Sequence, residues 1–145
     1  MRDATTVTPQ AFALFNGEFA QSRALALAAL LERQSTTLRG RIARAFQLVV
    51  SRAPTADEGK ACEAHVTRMT THHQQHPPQP TSLPTAVRRK MVEEMTGQEF
   101  EWDEELDGMK NYQRDLMPWE VGPPTRALAD LCLVLFNSNE FLYVR

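Results

Sequence analysis

Histidine residues are the first side chains in this sequence that could perform chemistry as a group. All four lie in one segment, at positions 65, 72, 73 and 76. His72 and His76 have i, i+4 spacing, which on a helix brings both imidazoles to one face, where they can chelate a metal ion. A structural zinc site normally has four ligands, and only His65, Glu63 or Cys62 could supplement the pair locally. His65, His72 and His76 are therefore candidate metal ligands, although a solvated helix end explains them more simply.

A run of carboxylates is the second candidate. It consists of Glu99, Glu101, Asp103, Glu104, Glu105 and Asp107. The spacing does not follow the ligand order of an EF-hand calcium loop, so a solvated loop is the simpler interpretation. Paired carboxylates can also hydrolyse glycosidic bonds if a sugar-sized cleft gathers them with aromatic rings such as Trp102, Tyr112 or Trp119. Part of a polysaccharide-acting hydrolytic domain is therefore an alternative function.

The cysteines and arginines offer weaker signals. Cys62 precedes His65 by three residues, which could activate a thiol, but it lies on an apolar helix face and no third orienting group is evident. For Cys62 and Cys132, packing as small hydrophobic residues is favoured over a disulfide. A basic face consists of Arg39, Arg41, Arg44 and Arg52. It lacks interleaved aromatic residues, so we favour solvation or pairing with the acidic run over nucleic-acid binding.

Length and composition limit the function classes further. The chain has 145 residues, of which 42% are hydrophobic and 23% charged, and its net charge is -2. These values are typical of one globular domain with a core, without a general attraction to nucleic acid or an anionic membrane. No apolar run approaches the roughly 20 residues that span a bilayer, so membrane insertion is not expected. A signal peptide is not expected either, because the first apolar stretch is not preceded by a basic segment or followed by a cleavage site.

Apolar residues at helical spacing define the elements that would position these side chains. They predict about five helices, at 9–32, 38–51, 55–76, 85–96 and 125–136. Gly17 is a weak point in the first helix, and Thr55 is a predicted N-cap of the third. The last helix has the strongest pattern, with Leu128, Leu131 and Leu135 on one face. Apolar residues on its other sides predict that it is buried most of the way round.

Two segments interrupt this helical pattern. Residues 77–84 contain four prolines and are predicted to form a loop. Residues 98–124 are predicted to be an irregular insertion, in which Phe100 and Trp102 alternate with acids and could form a short exposed strand. The predicted fold class is therefore all-α, an orthogonal or up-down bundle of about five helices. A long aromatic and acidic loop precedes the last helix, and residues 1–145 form a single helical domain.

Several blocks of the sequence resemble a known family. They are residues 2–11 with Leu14-Phe15-Asn16, Arg44-Ala45-Phe46 with 52–55, 92–97, 116–119 and 128–144. Together these blocks resemble a planctomycete-specific C-terminal domain of unknown function. That domain ends large exported proteins, which often also carry a planctomycete cytochrome c-like module.

The resemblance implies a location more than an activity. It implies that the chain is the C-terminal portion of a larger family domain, in a parent protein exported to the periplasm or cell surface. It transfers no catalytic residues. The haem-attachment motif Cys-x-x-Cys-His is absent from the sequence, so any electron transfer would belong to a different segment of the parent protein.

We therefore expect a structural or interaction module without catalytic residues or a cofactor of its own. Its expected partners are upstream domains of the parent protein or a second copy of the chain. The candidate contact residues are Phe12, Phe15 and Phe19, which share a helix face. The alternatives are the polysaccharide-acting domain and a metal or redox accessory domain built on the histidines.

Overall fold

The computed structural model describes residues 15–110 and 112–142. Three helices come first: α1 (Glu18–Gln34), α2 (Leu38–Val50) and α3 (Ala56–Gln75). The strands β1 (Ala86–Val92) and β2 (Glu99–Glu105) and the short helix α4 (Asp107–Lys110) follow. A 3₁₀ turn (Pro118–Glu120), the helix α5 (Pro123–Phe136) and the short helix α6 (Asn139–Leu142) complete the described part. The protein is mostly helical, as predicted, with a two-stranded antiparallel hairpin in addition.

The contacts of the chain divide it into two compact units, whereas the sequence predicts one domain. The helical unit comprises the residues up to Pro78 and those from Asp115 onward. The hairpin unit comprises Gln79–Arg114. None of the described helices is both long enough and apolar enough to cross a membrane.

Helix α5 is the centre of the helical unit, where it packs against α1 and α3. Its buried apolar residues are Ala127, Leu128, Ala129, Leu131, Cys132 and Leu135. The core is completed by Ala24, Leu25, Ala28 and Leu31 of α1, Ile42, Ala45 and Phe46 of α2, and Val66 of α3. The predicted burial of α5 is confirmed for these residues, whereas Val134 remains 44% exposed.

Local signals set the ends of the first three helices. Gly17 has an extended backbone immediately before α1, so the predicted weak point is the place where this helix begins. The Thr37 hydroxyl accepts a hydrogen bond from the Gly40 main-chain N–H at 3.1 Å and caps α2. A Cβ added at Gly40 would crowd the hydroxyls of Ser35 and Thr37, so a larger residue there would displace these side chains, including the capping hydroxyl. The predicted cap at Thr55 is confirmed as a capping box with Glu58.

Arg52 connects the α2–α3 turn to α6. Its guanidinium donates to both carboxylate oxygens of Glu58, at 2.6 and 2.8 Å, and to both of Glu140, at 2.7 and 2.8 Å. It also lies 5.3 Å from the ring centroid of Phe46. The hydrogen bond from Arg52, together with the main-chain N–H of Thr55, lowers the pKa of Glu58 to about 2. Arg52 thus pairs with these acids rather than with the acidic run of residues 99–107.

Residues 85–96 do not form the predicted fourth helix, so that prediction is wrong. Strand β1 covers most of this segment and pairs antiparallel with β2, from Ala86↔Glu105 to Val92↔Glu99. The i, i+4 spacing of Val87 and Met91 fits either structure, because an even separation also places two residues on one face of a strand. The cross-strand pairs that this segment forms with β2 favour the strand over the helix.

Strand β2 confirms the short exposed strand that the alternation of Phe100 and Trp102 suggested. The hairpin turn closes where the Glu93 main-chain N–H donates to the Gln98 carbonyl at 2.9 Å. Gly97 has a φ of +70° in this turn, a left-handed conformation that favours glycine. The irregular insertion predicted for residues 98–124 therefore begins with regular structure.

We expect Leu128→Ala to reduce the free energy of unfolding by about 2–5 kcal/mol, because the truncation leaves a cavity in the core. Leu128 is 1% exposed. Val134→Ala on the same helix is the control and should change this free energy far less. Urea unfolding followed by far-UV circular dichroism measures both variants. Equal losses would contradict the central position of α5.

We expect the Arg52–Glu58 pair to make the stability of the fold depend on pH in the acid range. The pKa of Glu58 is about 2 in the folded chain against a reference value of 4.5. The ionised carboxylate therefore adds stability above pH 4.5, and this contribution is lost as the pH falls toward 2. Arg52→Gln should have a lower melting temperature than wild type at neutral pH, and the difference should shrink across this window. Arg33→Gln, at an exposed position of α1, is the control and should melt at the wild-type temperature. If the difference in melting temperature between wild type and Arg52→Gln does not change with pH, the Arg52–Glu58 pair is not its source.

Candidate interaction surface

The hairpin gathers its two aromatic side chains on one face and most of its charged side chains on the other. Because strand residues alternate between faces, the pairs Met91–Phe100 and Arg89–Trp102 lie on the same side. We call Val87, Met91, Phe100 and Trp102 the aromatic face. The opposite side, the charged face, consists of Arg88, Lys90, Glu99, Glu101, Asp103 and Glu105.

The aromatic face is an exposed apolar surface. The rings of Phe100 and Trp102 stack with their centroids 5.4 Å apart. Trp102 is 37% exposed, Phe100 46% and Met91 55%. A two-stranded hairpin is marginally stable by itself in water, and large exposed apolar side chains that cluster mark surfaces for binding. The aromatic face is therefore the strongest candidate interaction surface among the described residues.

Ion pairs flank this surface. Arg89 donates to Glu104 at 2.6 Å on the aromatic face. On the charged face, Arg88 and Lys90 both donate to Glu101, at 2.8 and 2.5 Å. These two hydrogen bonds, with that from Lys90 the stronger influence, lower the pKa of Glu101. All three pairs are solvent-exposed, so each contributes little to stability but fixes where charge lies along the strands.

The candidate metal ligands do not converge with other ligand groups. His72 and His76 stack with ring centroids 4.4 Å apart, as their i, i+4 spacing predicts. The Nδ1 of His76 lies 3.0 Å from the main-chain carbonyl oxygen of His72, and the Nδ1 of His65 lies 3.3 Å from Arg68. Among the described residues, no three His, Cys, Asp or Glu side chains form a group that could hold a metal ion.

His73, which the sequence analysis did not single out, has the better-defined environment. Its Nε2 lies 2.7 Å from the Asp130 carboxylate of α5. Arg126, only 7% exposed, donates to the main-chain carbonyl of His73 at 3.0 Å. This carbonyl lies in the last turn of α3, where a cation is favoured by the helix dipole. The available signal was that Arg126 and Asp130 are the charged residues of an otherwise apolar helix.

The phenylalanine face is described only in part. Phe12 lies outside the described residues. Phe15 is 45% exposed and Phe19 77% exposed, and the Arg23 guanidinium lies 5.6 Å from the Phe19 ring centroid. Arg23 also pairs with Asp115, and this pairing lowers the pKa of that carboxyl group. Phe15 and Phe19 are therefore exposed apolar side chains of the helical unit.

Neither cysteine is placed to act as a nucleophile. Both are free thiols, as favoured from the sequence. Burial in the core raises the pKa of Cys132 to about 12. Desolvation, with the nearby charge of Glu58, raises the pKa of Cys62. Both thiols therefore stay protonated at neutral pH, where a nucleophile requires the thiolate.

The concave surfaces do not bring acids together with aromatic rings. A groove of about 550 Å³ in the helical unit is lined mainly by small apolar residues of α2 and the start of α3. A pocket of about 260 Å³ in the hairpin unit is lined by Tyr112 and the hydroxyl residues Thr81, Ser82 and Thr85. Trp102 lies on the face opposite to Glu99, Glu101 and Asp103. The sugar-binding cleft that a glycosidase requires is therefore not formed by these groups.

Comparison with known proteins identifies a similar family over part of the chain. Residues 1–66 match the family PSD1, described as a protein of unknown function (DUF1553). This segment includes α1, α2 and the first half of α3. No characterised protein and no solved structure shows significant similarity to the chain. The N-terminal part of this chain is thus similar to a family to which no activity is assigned.

Proposed function

We propose that this chain is a non-catalytic interaction module. The helical unit is the stable scaffold, and the hairpin unit carries the binding surface. The module lies at the C-terminus of a larger exported protein, as the resemblance to the planctomycete-specific domain implies. The observation that carries the proposal is the aromatic face, where Met91, Phe100 and Trp102 expose large apolar surface on an otherwise charged hairpin.

The distribution of polar groups supports a role in binding rather than in catalysis. Arg52 forms ion pairs with both Glu58 and Glu140, and these pairs connect elements of the helical unit. Catalysis uses groups whose pKa values are shifted toward the working pH. Here the pKa of Glu58 is lowered and that of Cys132 is raised, which removes both from the neutral range.

The polysaccharide-acting alternative has one supporting feature. The pocket beside Tyr112 combines an exposed aromatic ring with hydroxyl groups, a combination that suits a sugar. Hydrolysis would also require a pair of carboxylates about 5–9.5 Å apart across the bond. The residues that line this pocket include no carboxylate. We therefore rank this alternative below the interaction module.

Site-specific photo-crosslinking in the full-length parent protein tests the proposal. A benzophenone amino acid at position 100 places the probe on the aromatic face, and the same probe at position 101 places it on the charged face. We expect a discrete crosslinked protein from position 100 and much less from position 101. The double change Met91→Ser/Trp102→Ser should reduce the product of position 100, because it removes neighbouring apolar contacts.

Circular dichroism of the same variants provides the control. All four substituted side chains are exposed, so the helical signal should be unchanged. Equal crosslinking of a different protein from positions 100 and 101, or no product from position 100, would refute the aromatic face as the binding surface.

A further inference from the structure

Both outer edges of the hairpin are open. Each strand has the other as its only strand partner among the described residues. The Glu93 N–H donates to the Gln98 carbonyl and the Leu106 N–H to the Thr85 carbonyl, so odd-numbered residues of β1 turn their main-chain groups toward β2. Inward and outward hydrogen-bonding groups alternate along an antiparallel pair. The outward groups therefore belong to Ala86, Arg88, Lys90 and Val92 of β1, and to Glu99, Glu101, Asp103 and Glu105 of β2.

The two open edges have opposite charge. The β1 edge carries Arg88 and Lys90, which share a single carboxylate, that of Glu101, within the hairpin. Every outward residue of the β2 edge is an acid. The β1 edge is therefore cationic and the β2 edge anionic, so each edge of one hairpin is complementary in charge to the other edge of a second hairpin.

We propose that the β1 edge binds the β2 edge of a second copy of this chain, by addition of one hairpin to the next in a continuous sheet. The inference rests on the proposed function, because it uses the hairpin as the binding element. Main-chain hydrogen bonds supply the attraction common to all strand addition, and side chains select the partner. Here the selecting feature is that one molecule carries both complementary edges.

The pairing within one hairpin provides a register that the contact between two copies can repeat. If the second β2 repeats the pairing that β1 makes within its own hairpin, Arg88 lies opposite the partner's Asp103 and Lys90 opposite the partner's Glu101. On the other side of the sheet, Met91 lies opposite the partner's Phe100. The charged rows then alternate in sign, and the aromatic faces of adjacent copies become one continuous surface.

Charged edges more often prevent strand addition than promote it. That protection works when both edges carry charge of the same sign, since like charges then repel in every pairing. In this hairpin, β1–β1 and β2–β2 pairings are repulsive, whereas β1–β2 pairing is attractive. The only favoured contact is therefore heterologous, and it leaves one free edge of each kind for a further copy.

Sedimentation velocity on the 145-residue chain tests the inference. At low ionic strength the mean mass should rise with concentration and pass beyond that of a dimer, because the contact does not close. In about 1 M salt, where charges are screened within about 3 Å, the same samples should return toward monomer. A chain that stays monomeric at high concentration, or forms a closed dimer insensitive to salt, would overturn the inference.

A matched pair of variants identifies the edge. Glu99→Gln/Asp103→Asn removes two charges from the β2 edge and leaves Glu101 in place, so the hairpin ion pairs persist. We expect its association constant to fall about fivefold, because the direct Arg88–Asp103 pair and the weaker diagonal attraction between Lys90 and Glu99 are lost across the interface. Glu18→Gln/Asp57→Asn makes the same chemical changes at exposed sites of the helical unit. An equal loss in this control would refute an edge-specific contact.

The position-100 crosslink distinguishes this inference from the proposed function. In self-addition, position 100 lies beside the partner's Met91 and position 101 beside the partner's Lys90, so products that join two copies from both positions support self-addition. A product with a different protein, together with a monomeric chain, overturns self-addition and leaves the interaction module intact. Absence of any product refutes both.

Discussion

Burial of α5 between α1 and α3 is the interaction on which the helical unit depends. Leu128, Leu131 and Leu135 present one continuous apolar stripe, and each buried leucine contributes roughly 1.5–3 kcal/mol by its removal from water. The cap at Thr55 and the Arg52 contacts are smaller effects that become useful once this core has brought their elements together. Arg52 shows why these contacts depend on the core. Its two carboxylate partners are 6 and 88 residues away in the sequence, so the core must bring them together.

The hairpin unit is held together in a different way. None of its described residues is buried in the core, and its strands rely on cross-strand pairs between exposed side chains. Such pairs are individually weak, so a two-stranded hairpin gains most from a partner that covers an edge or a face. The contrast between a well-buried scaffold and an exposed hairpin is the physical basis for assigning binding to the second unit.

The ionisable groups fit this division of roles. In the helical unit they pair across elements, as His73 does with Asp130, or stay protonated in the core, as Cys132 does. In the hairpin unit they are arranged by sign along the two strands, with arginine and lysine on β1 and acids on β2. The proposed binding role draws on this arrangement, because complementary charge steers the association of surfaces.

The sequence by itself determined the helices whose apolar residues repeat with the helical period and whose ends carry local caps. It located α2, α3 and α5, the burial of Leu128 and Leu131, and the exposed strand at Phe100 and Trp102, because each depends on neighbours within a few residues. It could not determine the structure of residues 85–96, since Val87 and Met91 share a face in a helix and in a strand alike. Tertiary structure decided that case, through the pairing of β1 with β2. It also decided the partners of Arg52 and His73, because a long-range ion pair is specified by which elements the core brings together and leaves no periodic pattern in the chain.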